Sequence, residues 1–322
     1  MAHRLVLDCD TGTDDAVAIM LAALHPDLDL VGVTTVNGNV PVTNCTENSL
    51  RVLDHISRSE VPVYEGASEP IARPDFPLPR AQRGTSKVHG EYLDIPPARS
   101  KKQQETAANY LVREFAKAAA SGEQLTLVAV GPLTNVALAL KLDPNFKRNV
   151  SKLVIMGGGH EVPNVTPSAE FNIWGDPEGA RVVLTSGIDE IVLVPLDATH
   201  KALVSLDDCE ELRGLGTPAG EATATFVERR IHAYDESQPM GRLGAAPVHD
   251  ALCIAFLVDP SVIPIDKYYV DVETEGPLTV GRTVVDTHRR SGKEPNVWVA
   301  LDADEKKFVR MLIETFGSPR AA

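Results

Sequence analysis

Six short apolar runs, at residues 4–10, 28–36, 61–64, 125–131, 152–157 and 190–196, punctuate the first part of this 322-residue chain. None alternates apolar with polar as a half-solvated strand does. Each is continuous, the pattern of a strand covered on both faces. Stretches with helical periodicity lie among them, at 14–25, 44–56, 107–120, 133–142 and 177–185. That alternation predicts an α/β fold with a mostly parallel central sheet flanked by helices. Ligands of such sheets gather at the carboxyl ends of the strands, so the active site is expected there.

Two regions break the rhythm. Residues 66–100 are rich in proline, carry Lys87, His89 and Tyr92, and read as a long loop. Residues 214–248 hold a predicted helix at 221–234 and then a Gly/Pro-rich stretch. Insertions of this kind in a compact domain are often lids or binding loops. A pair of strands is expected at 267–272 and 278–286, across Glu275-Gly276-Pro277. With no internal repeat and no linker, the chain reads as a single domain over 1–322.

Charge narrows the partners. Asp plus Glu total 45 against 31 Lys plus Arg, a formal net charge of −14. Binding to a nucleic-acid polymer through a general basic surface is excluded, because that binding neutralises phosphates with Lys and Arg. A polybasic membrane anchor is disfavoured for the same reason. The segment MAHRLVLDCD reaches acids too early for a secretory signal, and no run approaches the ~18 apolar residues of a membrane span. Cys9, Cys45, Cys209 and Cys253 are scattered, which fits reduced thiols and a cytoplasmic location.

The densest chemistry follows the first strand: Asp8-Cys9-Asp10-Thr11-Gly12-Thr13-Asp14-Asp15. Capping a helix needs one acid. Four within eight positions repel one another unless a cation is present, and hard divalent ions such as Ca²⁺ or Mg²⁺ take oxygen ligands. An EF-hand loop is excluded, since its glycine stands sixth, whereas Gly12 is fifth counted from Asp8. A haloacid-dehalogenase-like phosphatase with Asp8 as nucleophile matches only roughly, its threonine being one position off.

The segment resembles the nucleoside hydrolase family at every fixed position of that family's Asp-x-Asp-x-Gly-x-Asp-Asp opening. Further resemblances follow in order: Thr34-Thr35-Val36-Asn37-Gly38-Asn39, Val130-Gly131-Pro132-Leu133-Thr134-Asn135, Met156-Gly157-Gly158-Gly159, Ala169-Glu170-Phe171-Asn172-Ile173 and Val248-His249-Asp250. The resemblance implies a Ca²⁺-dependent hydrolase that splits the N-glycosidic bond of ribonucleosides into ribose and free base. It implies Ca²⁺ held by Asp10, Asp15, the Val130 carbonyl and Asp250, with Asn39 joining through its amide in some members or facing the substrate.

Asp10 is then the base that takes a proton from the attacking water. Asp14, Glu170 and Asn172 are expected on ribose hydroxyls and Asn164 on the 5′-hydroxyl. His249 is expected to protonate the leaving base, as histidine can near neutral pH, and His89 in the Pro-rich loop to touch that base. Arg230 and Tyr234 on the late helix read either as facing the same pocket or as a surface helix face. Trp174 is expected to pack near the pocket rather than stack on a base. The family resemblance also implies a homodimer or homotetramer. The competing readings are the Asp8 phosphatase and a non-catalytic Ca²⁺/nucleoside-binding protein.

Overall fold

The computed structural model describes residues 2–73, 88–238, 240–318 and 320–321; Lys87 of the Pro-rich stretch lies outside them. The strands run β1 (His3–Cys9), β2 (Leu28–Thr35), β3 (Val63–Glu65), β4 (Thr126–Ala129), β5 (Lys152–Met156), β6 (Ile191–Val194), β7 (Leu203–Ser205) and β8 (Ala245–Pro247). After them come β9 (Ile265–Tyr268), β10 (Val270–Val272), β11 (Thr283–Val285) and β12 (Val297–Ala300). Eight form the main sheet in the order β3-β2-β1-β4-β5-β6-β12-β9. Every neighbouring pair is parallel except β12 with β9 at one edge.

All six expected strands are present, with ends that differ from the expected ones by at most two residues. Their continuous apolar character has the anticipated cause. Leu5, Leu7, Val128, Val154 and Val192 face one hydrophobic cluster, while Val6, Leu127, Ala129, Leu153 and Ile155 face the other. The helices Thr13–Leu24 and His249–Val258 cover the first face, and Ala107–Ser121 and Thr134–Leu142 cover the second. The expected pair at 267–272 and 278–286 is partly revised. Lys267 and Tyr268 belong to β9 of the main sheet, and only Val270–Val272 pairs with Thr283–Val285.

Within the Pro-rich stretch, residues 88–100 lie against the helix Val42–His55, whose polar side chains take the place of a strand partner. Asn48 Oδ1 accepts from the Leu93 N–H at 3.1 Å, Glu47 Oε1 from Ala98 at 3.1 Å and Asp54 Oδ2 from Ser100 at 3.0 Å. Arg51 also lies over the Tyr92 ring, 4.6 Å from its centre. These contacts carry His89 to the carboxyl end of the sheet. In the second interruption, the expected helix extends over Pro218–Ser237, started by Thr217, whose Oγ1 accepts from the Gly220 N–H.

Strand order reverses at β1, whose successor β2 lies on one side and β4 on the other. A crevice opens outside the strand ends at such a switch point, and Asp10 and Val130 stand directly after the two strands that flank it.

Candidate active site

A cleft of about 630 Å³ occupies this crevice, within the range of pockets that take small ligands. The chain turns after β1 straight into the helix Thr13–Leu24, and Asp15 folds its carboxylate back over the turn. It accepts the Asp10 N–H at 3.0 Å and the Gly12 N–H at 2.8 Å, pairing donors that a helix start leaves open. Asn39 joins from the turn after β2, its Nδ2 donating to Asp15 Oδ2 at 3.2 Å and its N–H to Asp10 Oδ2 at 2.6 Å. That turn comes so close because Gly38 has no side chain: a Cβ there would collide with the Asp10 carboxylate. Asp250 enters from the opposite side, at the start of the helix His249–Val258.

Ligand oxygens of Asp14, Asp15 and Asp250 lie within 4.8 Å of one another, and all three residues are buried. Burial, then the Asp14 charge, pushes the Asp15 carboxyl up from the ordinary carboxylate range. Burial, then Asp14, Asp15 and Asp10, does the same to Asp250. Crowded carboxylates out of water hold protons unless a positive charge is supplied. An all-oxygen donor set therefore fits a hard divalent cation. Asp10 stands outside this triplet but lines the same cleft, 1% exposed.

On the wall after β5, Glu170 caps the short helix Phe171–Gly175. Its Oε1 accepts from Asn172 N at 2.9 Å and its Oε2 from Gly158 N at 2.7 Å. Burial still raises its carboxyl to about 7 against those hydrogen bonds. Asn172 donates through Nδ2 to the Val130 carbonyl at 2.8 Å and the Met156 carbonyl at 3.2 Å, which leaves its Oδ1 as acceptor. Asn164 Oδ1 holds the Phe171 N–H at 3.0 Å.

Across the cleft, His249 has a partner on each nitrogen: Nδ1 is 2.7 Å from Thr199 Oγ1, and Nε2 is 2.8 Å from the Tyr234 hydroxyl. Burial first, then Arg230, His200 and His89, hold His249 well below the usual imidazole range, so the ring is neutral. Burial raises Tyr234 to about 12, keeping its hydroxyl protonated. His89 Nδ1 accepts the Thr13 N–H at 3.1 Å, which places the proton of its neutral ring on Nε2. Burial lowers it to about 4, with Asp14 opposing and Arg230 adding to the shift. A side chain at Gly12 would collide with this ring.

Asp10, Asp14, Asn39, His89, Val130, Asn164, Glu170, Asn172, His249 and Asp250 all line the one cleft. Asp15 does not line it; its carboxylate reaches the cluster from below. Asp8 is elsewhere. It is 0% exposed, with Oδ1 accepting from Thr34 Oγ1 at 2.6 Å and Asn135 Nδ2 at 2.8 Å, and burial raises it to about 6. A carboxylate sealed between β1, β2 and the helix Thr134–Leu142 is no phosphatase nucleophile. Trp174 packs on the turn at Gly281 and is not on the cleft wall.

Of the two readings of Arg230 and Tyr234 the structure shows the pocket-facing one: they are 1% and 8% exposed and, with Gln238, line the cleft. The i, i+4 spacing of Arg230 and Tyr234 puts both on one stripe of the helix, and Gln238 follows at its C-terminal cap.

Clustered carboxylates facing a neutral imidazole–phenol pair suit acid–base chemistry on a small polar molecule. Comparison with known proteins narrows the class. The family model described as "Inosine-uridine preferring nucleoside hydrolase" matches residues 5–310. The pyrimidine-specific ribonucleoside hydrolase RihA of Escherichia fergusonii is 38% identical over 314 residues, covering 98% of each chain. A purine-preferring ribonucleoside hydrolase from Gardnerella vaginalis superposes with a TM-score of 0.87 at 31% identity, over 98% of both chains. A plant nucleoside hydrolase does so at 0.89 and 30%, over 99% of this chain and 100% of that one. The chain belongs to the inosine-uridine preferring nucleoside hydrolase family, and it is a hydrolase of N-glycosyl bonds.

Proposed function

We propose that this chain hydrolyses ribonucleosides to ribose and free base with Ca²⁺ as cofactor, a reaction of nucleoside salvage. The observation that carries the reading is one cleft with buried carboxylates on one wall and the Tyr234–His249 pair on the other. Asp10, Asp15, Asp250 and the Val130 carbonyl would hold the ion, the carbonyl having a lone pair left beside its bond to Asn172. When bound, such a cation supplies Lewis acidity toward water and an attachment point for vicinal hydroxyls.

The residues then divide the work. Asp10 takes the proton of the attacking water, its Oδ2 oriented by the Asn39 N–H. Asp14, Asn39, Glu170 and Asn172 orient the sugar ring, and Asn164 meets the 5′-hydroxyl. Oxocarbenium character builds at the anomeric carbon as the bond to the base lengthens. With its proton on Nε2, His249 donates to the Tyr234 oxygen and accepts from Thr199, so it serves as acid to the departing base through the Tyr234 hydroxyl, replacing the proton that the hydroxyl gives up. His89 Nε2–H offers a second donor to that base.

The RihA relative, named as pyrimidine-specific, is more similar in sequence than the purine-preferring structure, so uridine and cytidine are the substrates to try first. One domain, a cytoplasmic site of action and a homodimer or homotetramer complete the proposal. A core continuous on both faces of one sheet, four free buried cysteines, and the exposed Leu243 and Leu278 support these in turn. Chromatography of pyrimidine and purine nucleosides incubated with the chain tests the reaction. Free base is expected, and Asp10→Ala should abolish its release. Tight nucleoside binding without cleavage would establish a binding protein instead.

A further inference from the structure

Asp14 can be claimed by two ligands. Its carboxylate lies within 4.8 Å of the ligand oxygens of Asp15 and Asp250, and oxygens around one Ca²⁺, each about 2.3–2.6 Å from it, stand up to about 5 Å apart. Distance alone would let the cation draw Asp14 in as a fourth carboxylate ligand beside Asp10, Asp15 and Asp250. The proposed reaction needs Asp14 on the sugar.

Arg230 is the group that separates these fates. Its guanidinium is 1% exposed and permanently charged. Nε donates to the Pro247 carbonyl at 2.9 Å and Nη1 to Thr13 Oγ1 at 3.1 Å, which ties it beside Asp250 and Asp14 alike. Held there, Nη1 lies 2.8 Å from Asp14 Oδ1, which accepts no aligned hydrogen bond from the described residues. The contact is a charge pairing, and its cation cannot swing away without breaking two further bonds.

We infer that Arg230 is a positioning residue that pairs with Asp14, withholds this carboxylate from the cation, and so keeps it for the ribose hydroxyls. The inference rests on the reading of the cleft as a cation-dependent ribohydrolase site. Without Arg230, Asp14 becomes one more anionic ligand: the ion binds more tightly and the sugar loses a partner.

Calorimetric Ca²⁺ titration of the full chain, stripped of metal, tests this with wild type, Asp14→Asn, Arg230→Met and the double variant. Removing Arg230 from the wild-type chain should tighten Ca²⁺ binding about tenfold more than removing it in the Asp14→Asn background, since charge count tunes affinity. The Arg230→Met enzyme should also show a raised KM for uridine. Equal tightening in both backgrounds, which is a general charge effect, overturns the inference, as does no tightening at all. Should Arg230→Met not fold, Arg230→Gln keeps a donor at the Nε position for Pro247 without the charge and is read the same way. A wild-type chain that binds no Ca²⁺ refutes the underlying reading; one that binds Ca²⁺ without this coupling refutes only the role of Arg230.

Discussion

Replacing Tyr234 by Phe removes one oxygen from the wall where the base must leave. The hydroxyl stands 2.8 Å from His249 Nε2, and the ring is anchored behind by Thr199 at 2.7 Å. Two effects follow and have different readouts. His249 Nε2 is left buried without its partner, which costs about 1–3 kcal/mol of stability. The route for the proton to the departing base is cut, which costs about 10²–10⁴-fold in rate for a leaving group that needs protonation. Comparing kcat on uridine with kcat on p-nitrophenyl riboside separates them, because p-nitrophenolate leaves without a proton. The expected result is a drop of about 10²–10⁴-fold on uridine and none on the activated riboside. Equal losses on both substrates would mean that Tyr234 shapes the cleft only, and an unchanged rate on uridine would remove it from the mechanism.

Asp10→Asn keeps an acceptor for the Asn39 N–H but no base for water, so kcat at saturating Ca²⁺ should fall by about 10² or more while the far-UV circular dichroism stays that of the folded chain. Asp8→Asn should keep nucleoside turnover within about tenfold, about 1.4 kcal/mol, in a steady-state assay, because Asp8 serves Thr34 and Asn135 alone; complete loss would reopen a chemical role. His89, lowered from 6.5 to about 4, contributes stability that is fully present above pH 6.5 and is lost as pH falls toward 4. The limit is about 3 kcal/mol, so denaturant unfolding between pH 7 and 4 should be less pH-dependent in His89→Gln by up to that amount. Chelation should lower the melting temperature and readdition of Ca²⁺ restore it, by about 2.7 kcal/mol of stability at one hundred times Kd; an unchanged melting temperature in both would argue against a resident ion.

The sheet was legible because its strands are buried on both faces, and a continuous apolar run has few other uses at that length. What was not legible had mixed burial. The edge strand β9 reads as intermediate and exposed along Ile265–Tyr268, so nothing in its residues marks it as part of the main sheet and not of the hairpin that follows. β7 and β8 are three residues each and pair only with each other, too short for any period to show. Residues 88–100 have no strand or helix pattern because their partners are side chains of the helix Val42–His55.

The site divides the same way, by where each residue finds its partner. Asp10, Asp15 and Asn39 could be read because their contacts are made in turns after strands, within a few dozen residues. Asp8 could not be told from Asp10 by spacing: both precede the same helix, but Asp8 is still within β1 and faces Thr34 on β2 and Asn135 from the covering helix, while Asp10 has passed the strand end. Arg230 was hidden more deeply. It lies on a buried stripe with Phe226, Val227, Ile231 and Tyr234, where a guanidinium is costly unless paired. Its hydroxyl partner Thr13 is 217 positions away, so only the packing of the two helices shows that the charge is answered. A cleft with this many carboxylates needs a fixed cation of its own beside any that it binds, and the helix Pro218–Ser237 is where the fold supplies it.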